Sequence, residues 1–268
     1  MSDKAVRVAV VGACGRMGQE TLRALGSDPG FDVVAACDSN HVGESARTVA
    51  GPAAPDIPVS GKLGEALDAA RPDVLVELTN GGSAPDHAIR ALKRRVAVVV
   101  GASGIASDGM AAIREACAES TTPCLIVPNF AVGAVLMMRF AAEAARWFPD
   151  AEVLEMHHAG KLDSPSGTAI HTAERIAESR SGRPVRQIGA TETRAGARGA
   201  GVKEVHVHSV RLPGLVAHQE VLFGGEGELL TIRHDSLSRT SFMAGLKLAV
   251  REVRRLEGLV VGLDKVMF

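Results

Sequence analysis

The sequence predicts an α/β fold in two parts: a doubly wound parallel sheet, and an α+β region with an open mixed sheet. Three observations predict it. Short, continuously apolar, β-branched runs alternate with helical periodicity through the first half of the 268 residues. A glycine-rich turn joins the first run to the first helix. After Pro149 the alternation stops, and runs with apolar residues at every second position take over. Continuous apolar strands suit parallel sheets buried on both faces, and alternating ones suit sheets with one wet face.

The elements follow in order. Residues 6–11 form the first strand, 16–25 the first helix and 31–37 the second strand. Pro52, Pro55 and Pro58 make 39–62 an irregular connection with one short helix. Strands follow at 74–78, 97–100 and 124–127, with helices near 86–95 and 108–119 between them. An Ala- and Met-rich helix runs from 132 to 148 and is stopped by Pro149. Residues 151–158 read as a strand, 168–179 as a helix, and 203–211, 216–223 and 228–234 as three strands. The Gly-, Ala- and Arg-rich stretch 191–202 predicts a mobile loop. A last helix near 239–256 aligns Phe242, Leu246, Ala249, Val253 and Leu256 on one stripe. Its other side, with Lys247, Arg251, Arg254 and Arg255, predicts a solvated face.

Composition removes several function classes. There is no tyrosine, so a reductase whose general acid is a Tyr hydroxyl is excluded. Aromatics are 3% of the chain, which argues against a base-stacking nucleic-acid platform. Thirty Lys and Arg against 31 Asp and Glu leave a formal charge of −1, so no global field holds a polyanion. Cys14, Cys37, Cys117 and Cys124 have no C-x-x-C spacing, which points to a reducing, cytoplasmic compartment. No apolar run reaches membrane-spanning length, and the early run at 8–13 is too short for a signal peptide.

The first strand ends in Gly12-Ala13-Cys14-Gly15-Arg16-Met17-Gly18, a G-x-x-G-x-x-G turn. Such a turn lets backbone N–H groups and a helix N-terminus approach a pyrophosphate. Arg16 can add a charge-assisted contact. Asp38 stands at the end of the second strand, where a carboxylate accepts from ribose hydroxyls. Together they predict a Rossmann-like site for NADH or NADPH. No Arg adjoins Asp38 to hold a 2′-phosphate, which leans toward NADH, with Arg16, His41 and Arg47 as other sources of that charge. Two more strand ends, Gly101-Ala102-Ser103-Gly104 and Val127-Pro128-Asn129-Phe130-Ala131, either border the nicotinamide or are ordinary turns.

The second informative stretch is Glu155-Met156-His157-His158-Ala159-Gly160-Lys161-Leu162-Asp163-Ser164-Pro165-Ser166-Gly167-Thr168. It gathers two imidazoles and an ammonium, then opens a helix whose first N–H groups and positive dipole end suit a carboxylate. Ser166 and Thr168 add hydroxyls. This describes a site for a small dicarboxylate with a proton donor beside it. Metal binding is not expected, because adjacent residues on a strand point to opposite faces. His206 and His208 share a face and are either ligands, packed side chains or the lining of a cleft.

At these residues the chain resembles the dihydrodipicolinate reductase family, the 4-hydroxy-tetrahydrodipicolinate reductases of bacterial lysine and diaminopimelate biosynthesis. The matching pieces are VAVVGACGRMG, GASG, PNFAVG, EMHHAGKLDSPSGTA, SVRLPGLVAHQEVLFG and GLDKVM. They cover nearly the whole chain, and the His-His-x-x-Lys-x-Asp-x-Pro-Ser-Gly-Thr block is the most specific. The resemblance implies a dinucleotide-binding domain of residues 1–130 and 240–268, and a substrate-binding and oligomerisation domain of 131–239 whose sheet assembles a homotetramer. It implies hydride delivery from NADH or NADPH to C4 of the dihydropyridine-like dicarboxylate left when the 4-hydroxy substrate loses water.

By motif position, the same resemblance makes His157 the proton donor and acceptor and Lys161 a second donor. His158, Lys161, Ser166, Gly167 and Thr168 would hold the substrate. Gly12, Ala13, Cys14, Gly15, Arg16, Met17, Asp38, Gly101, Ala102, Ser103, Val127, Pro128, Asn129 and Phe130 would contact the cofactor. The chain departs from the family's habits at Cys14, often Gly or Ala, at Ala102-Ser103, often Thr-Thr, and at Ala131, often Ser. The segment Glu77-Leu78-Thr79-Asn80-Gly81 stands where the family has Asp-Phe-Ser/Thr-x-Pro. Two rivals share the first domain: another two-domain dehydrogenase acting on an amino acid or semialdehyde, and a non-catalytic dinucleotide sensor.

Overall fold

The computed structural model describes residues 4–180 and 191–268. In chain order the elements are β1 (Val6–Val11), α1 (Arg16–Gly26), β2 (Phe31–Cys37), α2 (Ala46–Ala50), β3 (Val59–Ser60), α3 (Leu63–Ala70), β4 (Val74–Glu77), α4 (Ala84–Leu92), β5 (Ala97–Val100), α5 (Ser107–Ser120) and β6 (Cys124–Ile126). Then come α6 (Val132–Ala144), β7 (Asp150–His157), α7 (Gly167–Ser179), β8 (Ala200–Val202), β9 (Val205–Arg211), β10 (Ala217–Gly225) and β11 (Glu228–Ser236). The chain closes with α8 (Met243–Glu252), β12 (Leu259–Val261) and α9 (Asp264–Met267). Two compact units result: residues up to Phe130 with Phe242–Phe268, and Ala131–Ser241.

The first unit is a seven-stranded parallel sheet in the order β12-β6-β5-β4-β1-β2-β3. The chain runs outward from β1 in one direction through β2 and β3, then restarts at β4 on the other side. That reversal puts the topological switch point between β1 and β4, where open α/β sheets bind ligands. Val8, Val10, Leu75, Val76, Val98 and Val99 are fully buried, as strands covered on both faces require. Each fully buried Val or Leu stabilises the unit by about 1.5–3 kcal/mol.

Several expectations change here. The irregular span 39–62 does hold one short helix, α2, capped by Ser45, but it also ends in an edge strand, β3. Two elements go beyond the sequence expectation: helix α3, and β12, which extends the sheet beyond β6. The last helix is not continuous: 3-10 turns at Arg239–Phe242 and Val253–Arg255 flank α8. Its charged face is not simply solvated. Lys247 Nζ and Arg251 Nη2 both reach Asp28 Oδ2, at 2.9 and 3.4 Å, and the Arg251 guanidinium lies 4.7 Å from the Phe31 ring centroid. The acid that draws them in sits more than 200 positions earlier, so local spacing gives no sign of it.

The second unit is a five-stranded sheet in the order β11-β10-β7-β9-β8. Only β7 and β9 are parallel, joined by the crossover through α7, and the other pairs are antiparallel. Val153, Val207, Val221 and Phe223 are buried on one face, against α6 and α7. On the other face Leu154, Met156, Val210 and Leu222 are only half-buried. The helix expected to run to Phe148 ends at Ala144 in turns, and Phe148 packs on Phe223 with ring centroids 5.8 Å apart. The stretch 191–202, expected as a mobile loop, ends in β8 on the sheet edge. Arg198 pairs with Glu152, and Glu192 accepts from the Gly196 and Arg198 N–H groups.

Candidate active site

The first constellation is built on the carboxyl ends of β1, β2 and β4. Gly12 follows β1 with φ +79°, a conformation that side chains resist. Its N–H and that of Ala13 both donate to the Cys37 carbonyl, at 3.0 and 3.1 Å, which folds the turn against β2. A Cβ on Gly18 would stand 2.0 Å from the Gly12 carbonyl oxygen, so helix α1 reaches the turn only because position 18 is bare. Gly15 caps α1 without a side chain, and no acid lies in the first turn. The N-terminal N–H groups and the positive dipole end are thus presented without a competing anion.

Asp38 is held in this frame by the turn itself. Its Oδ2 accepts the Cys14 N–H at 2.9 Å, and its Oδ1 accepts the Asn40 N–H at 2.9 Å. Around them lies a cleft of about 570 Å³ lined by Gly12, Cys14, Gly15, Asp38, Asn40 and His87, among others. Bare turn, helix start and strand-end carboxylate fit a dinucleotide, and the volume suits its adenosine half. The Cys14 thiol is pushed up to about 11, first by burial and then by the Asp38 and Glu44 carboxylates, so it stays protonated. Ala13, Arg16 and Met17 do not line the cleft, although Arg16 is exposed at the first turn of α1.

The other expected cofactor residues lie at the ends of β5 and β6. A Cβ on Gly101 would meet Phe130 Cε2 at 2.6 Å and Leu78 Cδ2 at 2.8 Å, so these strand ends close on one another there. Ala102, Val127 and Phe130 are buried, Ser103 and Pro128 exposed, and Gly101 and Asn129 intermediate. One neighbour, Glu77, stands out in the sequence only as a departure from the family's pattern, with no role. Glu77, the last residue of β4, is fully buried. Its Oε1 accepts from the Thr79 N–H at 3.0 Å and from the Thr79 hydroxyl, and lies 3.2 Å from His87 Nδ1.

The second constellation begins at the end of β7. His157 is half-buried there, and its Nδ1 lies 2.5 Å from Oε2 of Glu155, which is fully buried. Arg211 on β9 clamps the same carboxylate, Nη2 to Oε1 at 2.8 Å and Nη1 to Oε2 at 3.1 Å. Burial pushes the Glu155 carboxyl up, but hydrogen bonds from His157, Arg211 and Ser209 outweigh it and bring it down to about 2. Lys161 follows in the loop, its N–H donating to the His158 carbonyl at 3.1 Å. Its Nζ lies 2.7 and 2.9 Å from the two Asp163 oxygens, and holds that carboxyl below its ordinary range.

The loop ends at the start of α7. Ser166, buried, is the N-cap, and its Oγ accepts the Ala169 N–H at 3.3 Å. Open space surrounds Gly167, since an added Cβ there would meet nothing within 4 Å. Thr168 anchors the first turn through its carbonyl, which accepts from Thr172 Oγ1 at 2.7 Å. Thr172 in turn accepts from the Gln219 amide of β10 at 2.7 Å. One half-buried imidazole, one ammonium and one helix start with no acid in its first turn therefore lie within the single segment 157–168 of the second unit. His208 is a packed side chain, with Nε2 2.7 Å from Glu152 Oε2. Among the described residues no group of three or more His, Cys, Asp and Glu gathers as metal ligands would. Among those residues, too, no helix is long and apolar enough to cross a membrane.

Comparison with known proteins adds an independent finding. Residues 6–130 match a family model described as dihydrodipicolinate reductase, N-terminus, and residues 133–267 match its C-terminus counterpart. A 4-hydroxy-tetrahydrodipicolinate reductase of Bacillus cereus is 43% identical over 264 residues, covering 98% of this chain and 99% of its own. One from Syntrophomonas wolfei is 44% identical over 267 residues, covering all of both chains. A dipicolinate-bound dihydrodipicolinate reductase structure from a Paenisporosarcina species superposes with a TM-score of 0.85 at 40% identity, covering 97% of this chain and 99% of that one.

Proposed function

The chain belongs to the dihydrodipicolinate reductase family, and from that premise we propose that it reduces 4-hydroxy-tetrahydrodipicolinate, through dihydrodipicolinate, to tetrahydrodipicolinate in lysine and diaminopimelate biosynthesis. A bound nicotinamide dinucleotide supplies the hydride. Gly12, Cys14, Gly15 and the start of α1 would hold its pyrophosphate, and Asp38 would accept from its ribose hydroxyls. Gly101, Ala102, Ser103 and residues 127–130 border the nicotinamide.

The substrate's two carboxylates are held by Lys161 and by the α7 start at Ser166, Gly167 and Thr168, with His158 beside them. Holding a dianion in one orientation accounts for much of the rate. As the conjugated imine is reduced, the resulting enamine is protonated by His157, with Lys161 as second donor. The observation that carries this reading is what residues 157–168 hold together in one segment: an imidazole anchored at Nδ1, an ammonium, and a helix N-terminus with open space at Gly167.

NADH is the preferred cofactor in this reading. Asp38 is a carboxylate where a 2′-phosphate would need a cation. His41 pairs with Glu44 at 3.1 Å, and Arg47 is turned to the Ala54 carbonyl and Asp56. The half-buried apolar residues on the face of the second sheet away from α6 and α7, Leu154, Met156, Val210 and Leu222, support a homotetramer built on that face. Four free cysteines suit a reducing compartment and support the cytoplasm.

A coupled assay tests the activity. Dihydrodipicolinate synthase with pyruvate and aspartate semialdehyde supplies the substrate, and loss of NADH or NADPH absorbance is followed. Oxidation should depend on both precursors, run faster with NADH, and fall at least about a hundredfold in His157→Ala or Lys161→Ala. No oxidation with either cofactor refutes the activity. Near-normal turnover in both variants refutes the residue roles.

A further inference from the structure

On one face of β7, two residues apart, stand side chains of different exposure. His157 at the strand end is half-buried, and Glu155, one pleat inward, is 0% exposed. A carboxylate at such a depth is tolerated only when paired and hydrogen-bonded. Its partners are His157 Nδ1 at 2.5 Å and the fork of Arg211 at 2.8 and 3.1 Å. Those bonds, with one from Ser209, keep Glu155 ionised at any pH near neutrality. An ionised carboxylate only accepts, so the hydrogen on the neutral imidazole sits on Nδ1, and Nε2 is the nitrogen left to exchange a proton.

Arg211 makes a further contact. Its Nη2 also donates to the Asp163 carbonyl at 2.7 Å, and Nη1 donates to the Val210 carbonyl at 2.8 Å. Asp163 belongs to the loop that carries Lys161 and pairs with its ammonium. One guanidinium therefore touches both the carboxylate that steers His157 and the backbone of the Lys161 loop. The other polar groups on neighbouring elements are His158, Lys161 and Asp163 on the loop, Ser166 at the start of α7, Ser209 on β9, and Gln219, opposite Glu155 on β10. Glu155 is the only carboxylate among them bonded to the ring.

We propose that Glu155 and Arg211 are positioning residues for proton delivery: Glu155 fixes the His157 ring with Nε2 available for the substrate, and Arg211 ties that ring to the Lys161 loop. The proposal rests on the reading of His157 as the proton donor. It differs from a purely structural ion pair, which would hold the sheet together without setting the ring's protonation.

Two measurements on the full-length enzyme test it. The first needs no turnover. In long-range proton–nitrogen correlation spectra of the wild type, the neutral His157 ring should carry its hydrogen on Nδ1, and an Nε2–H ring overturns the proposal even if the reductase is active. The second is the pH profile of Glu155→Gln, which keeps the side-chain volume and an acceptor for Arg211. Its kcat should fall about tenfold or more, with both KM values within about twofold. The high-pH limb of kcat should move to lower pH, since a neutral amide no longer attracts a charged ring.

If Glu155→Gln fails to fold, Arg211→Lys takes its place. It should keep the wild-type pH limb but raise the KM for the dicarboxylate by about threefold or more as the Lys161 loop loosens. A folded Glu155→Gln with wild-type kcat and pH profile overturns the proposal, as does Arg211→Lys with unchanged KM. An inactive wild type with an Nδ1–H ring refutes the proposed reductase activity and leaves the Glu155–His157 relation standing.

Discussion

The backbone N–H of Cys14 donates to the Asp38 carboxylate at 2.9 Å, so the glycine turn and the acid at the end of β2 form one hydrogen-bonded unit. The turn that would hold the pyrophosphate also orients the group that would hold the ribose. Asp38→Asn keeps an acceptor for that N–H but removes the charge. Its Kd for NADH should rise about tenfold or more, and its Kd for NADPH should rise less or fall. Fluorescence titration of the reduced cofactors reads both, and an equal effect on the two would contradict the ribose assignment.

Gly18→Ala tests why α1 can approach the turn. The new methyl would lie 2.0 Å from the Gly12 carbonyl oxygen and 2.7 Å from the Ala13 carbonyl carbon, both of them backbone. Neither can swing aside, so the variant should lose about 1–3 kcal/mol of stability together with NADH affinity. Thermal unfolding with and without cofactor reads both. A stable, fully binding variant would show that the helix and turn can separate at no cost.

Glu155 makes acid stability a specific quantity. Its carboxyl lies at about 2 in the folded protein against an ordinary 4.5. A depressed carboxyl stabilises the fold above the unfolded value and loses that contribution as pH falls through the folded one. The wild type should therefore lose about 3 kcal/mol that Glu155→Gln does not lose, between pH about 4.5 and about 2. Denaturant titrations of both proteins across that window measure it, and parallel pH dependences would count against the buried ionised carboxylate.

In the proposed site Asp163 would compete with the substrate for Lys161. Its carboxylate occupies the Lys161 ammonium at 2.7 and 2.9 Å, although its own side chain is largely exposed. A pair this accessible is worth at most about 1 kcal/mol, so Asp163→Asn should lower the KM for the dicarboxylate by up to about fivefold. Steady-state kinetics decide it. A raised KM would make Asp163 a support for Lys161 and not a competitor.

The parts of this molecule that were legible in its sequence are those whose chemistry is local. Val6–Val11, the glycine turn and Asp38 announce themselves, because strand, turn and acid lie within 40 residues and each has a steric or electrostatic reason for its type. The 157–168 segment is legible for the same reason. Glu155 and Glu77 appear in those motifs, but their roles were not legible. Both are fully buried, yet a lone Glu on a strand reads as a solvent-facing residue. Glu155 is paired with Arg211, 56 positions later, and only the β7–β9 register brings the two together. The same distance effect hid the Lys247 and Arg251 contacts to Asp28. Helix α3, with Gly64 in its first turn, and the three-residue strands β8 and β12 are too short for periodicity to register.

In the proposed reaction a hydride passes from a nicotinamide to the dicarboxylate substrate while nitrogen acids of this chain supply the proton. NADH deuterated at the transferable position, supplied with freshly generated dihydrodipicolinate, tests it by mass spectrometry of the product. Tetrahydrodipicolinate is expected to carry one deuterium at C4, with a matching loss of deuterium from the cofactor. Cofactor oxidation without label in the product, or an unlabelled product, would contradict it.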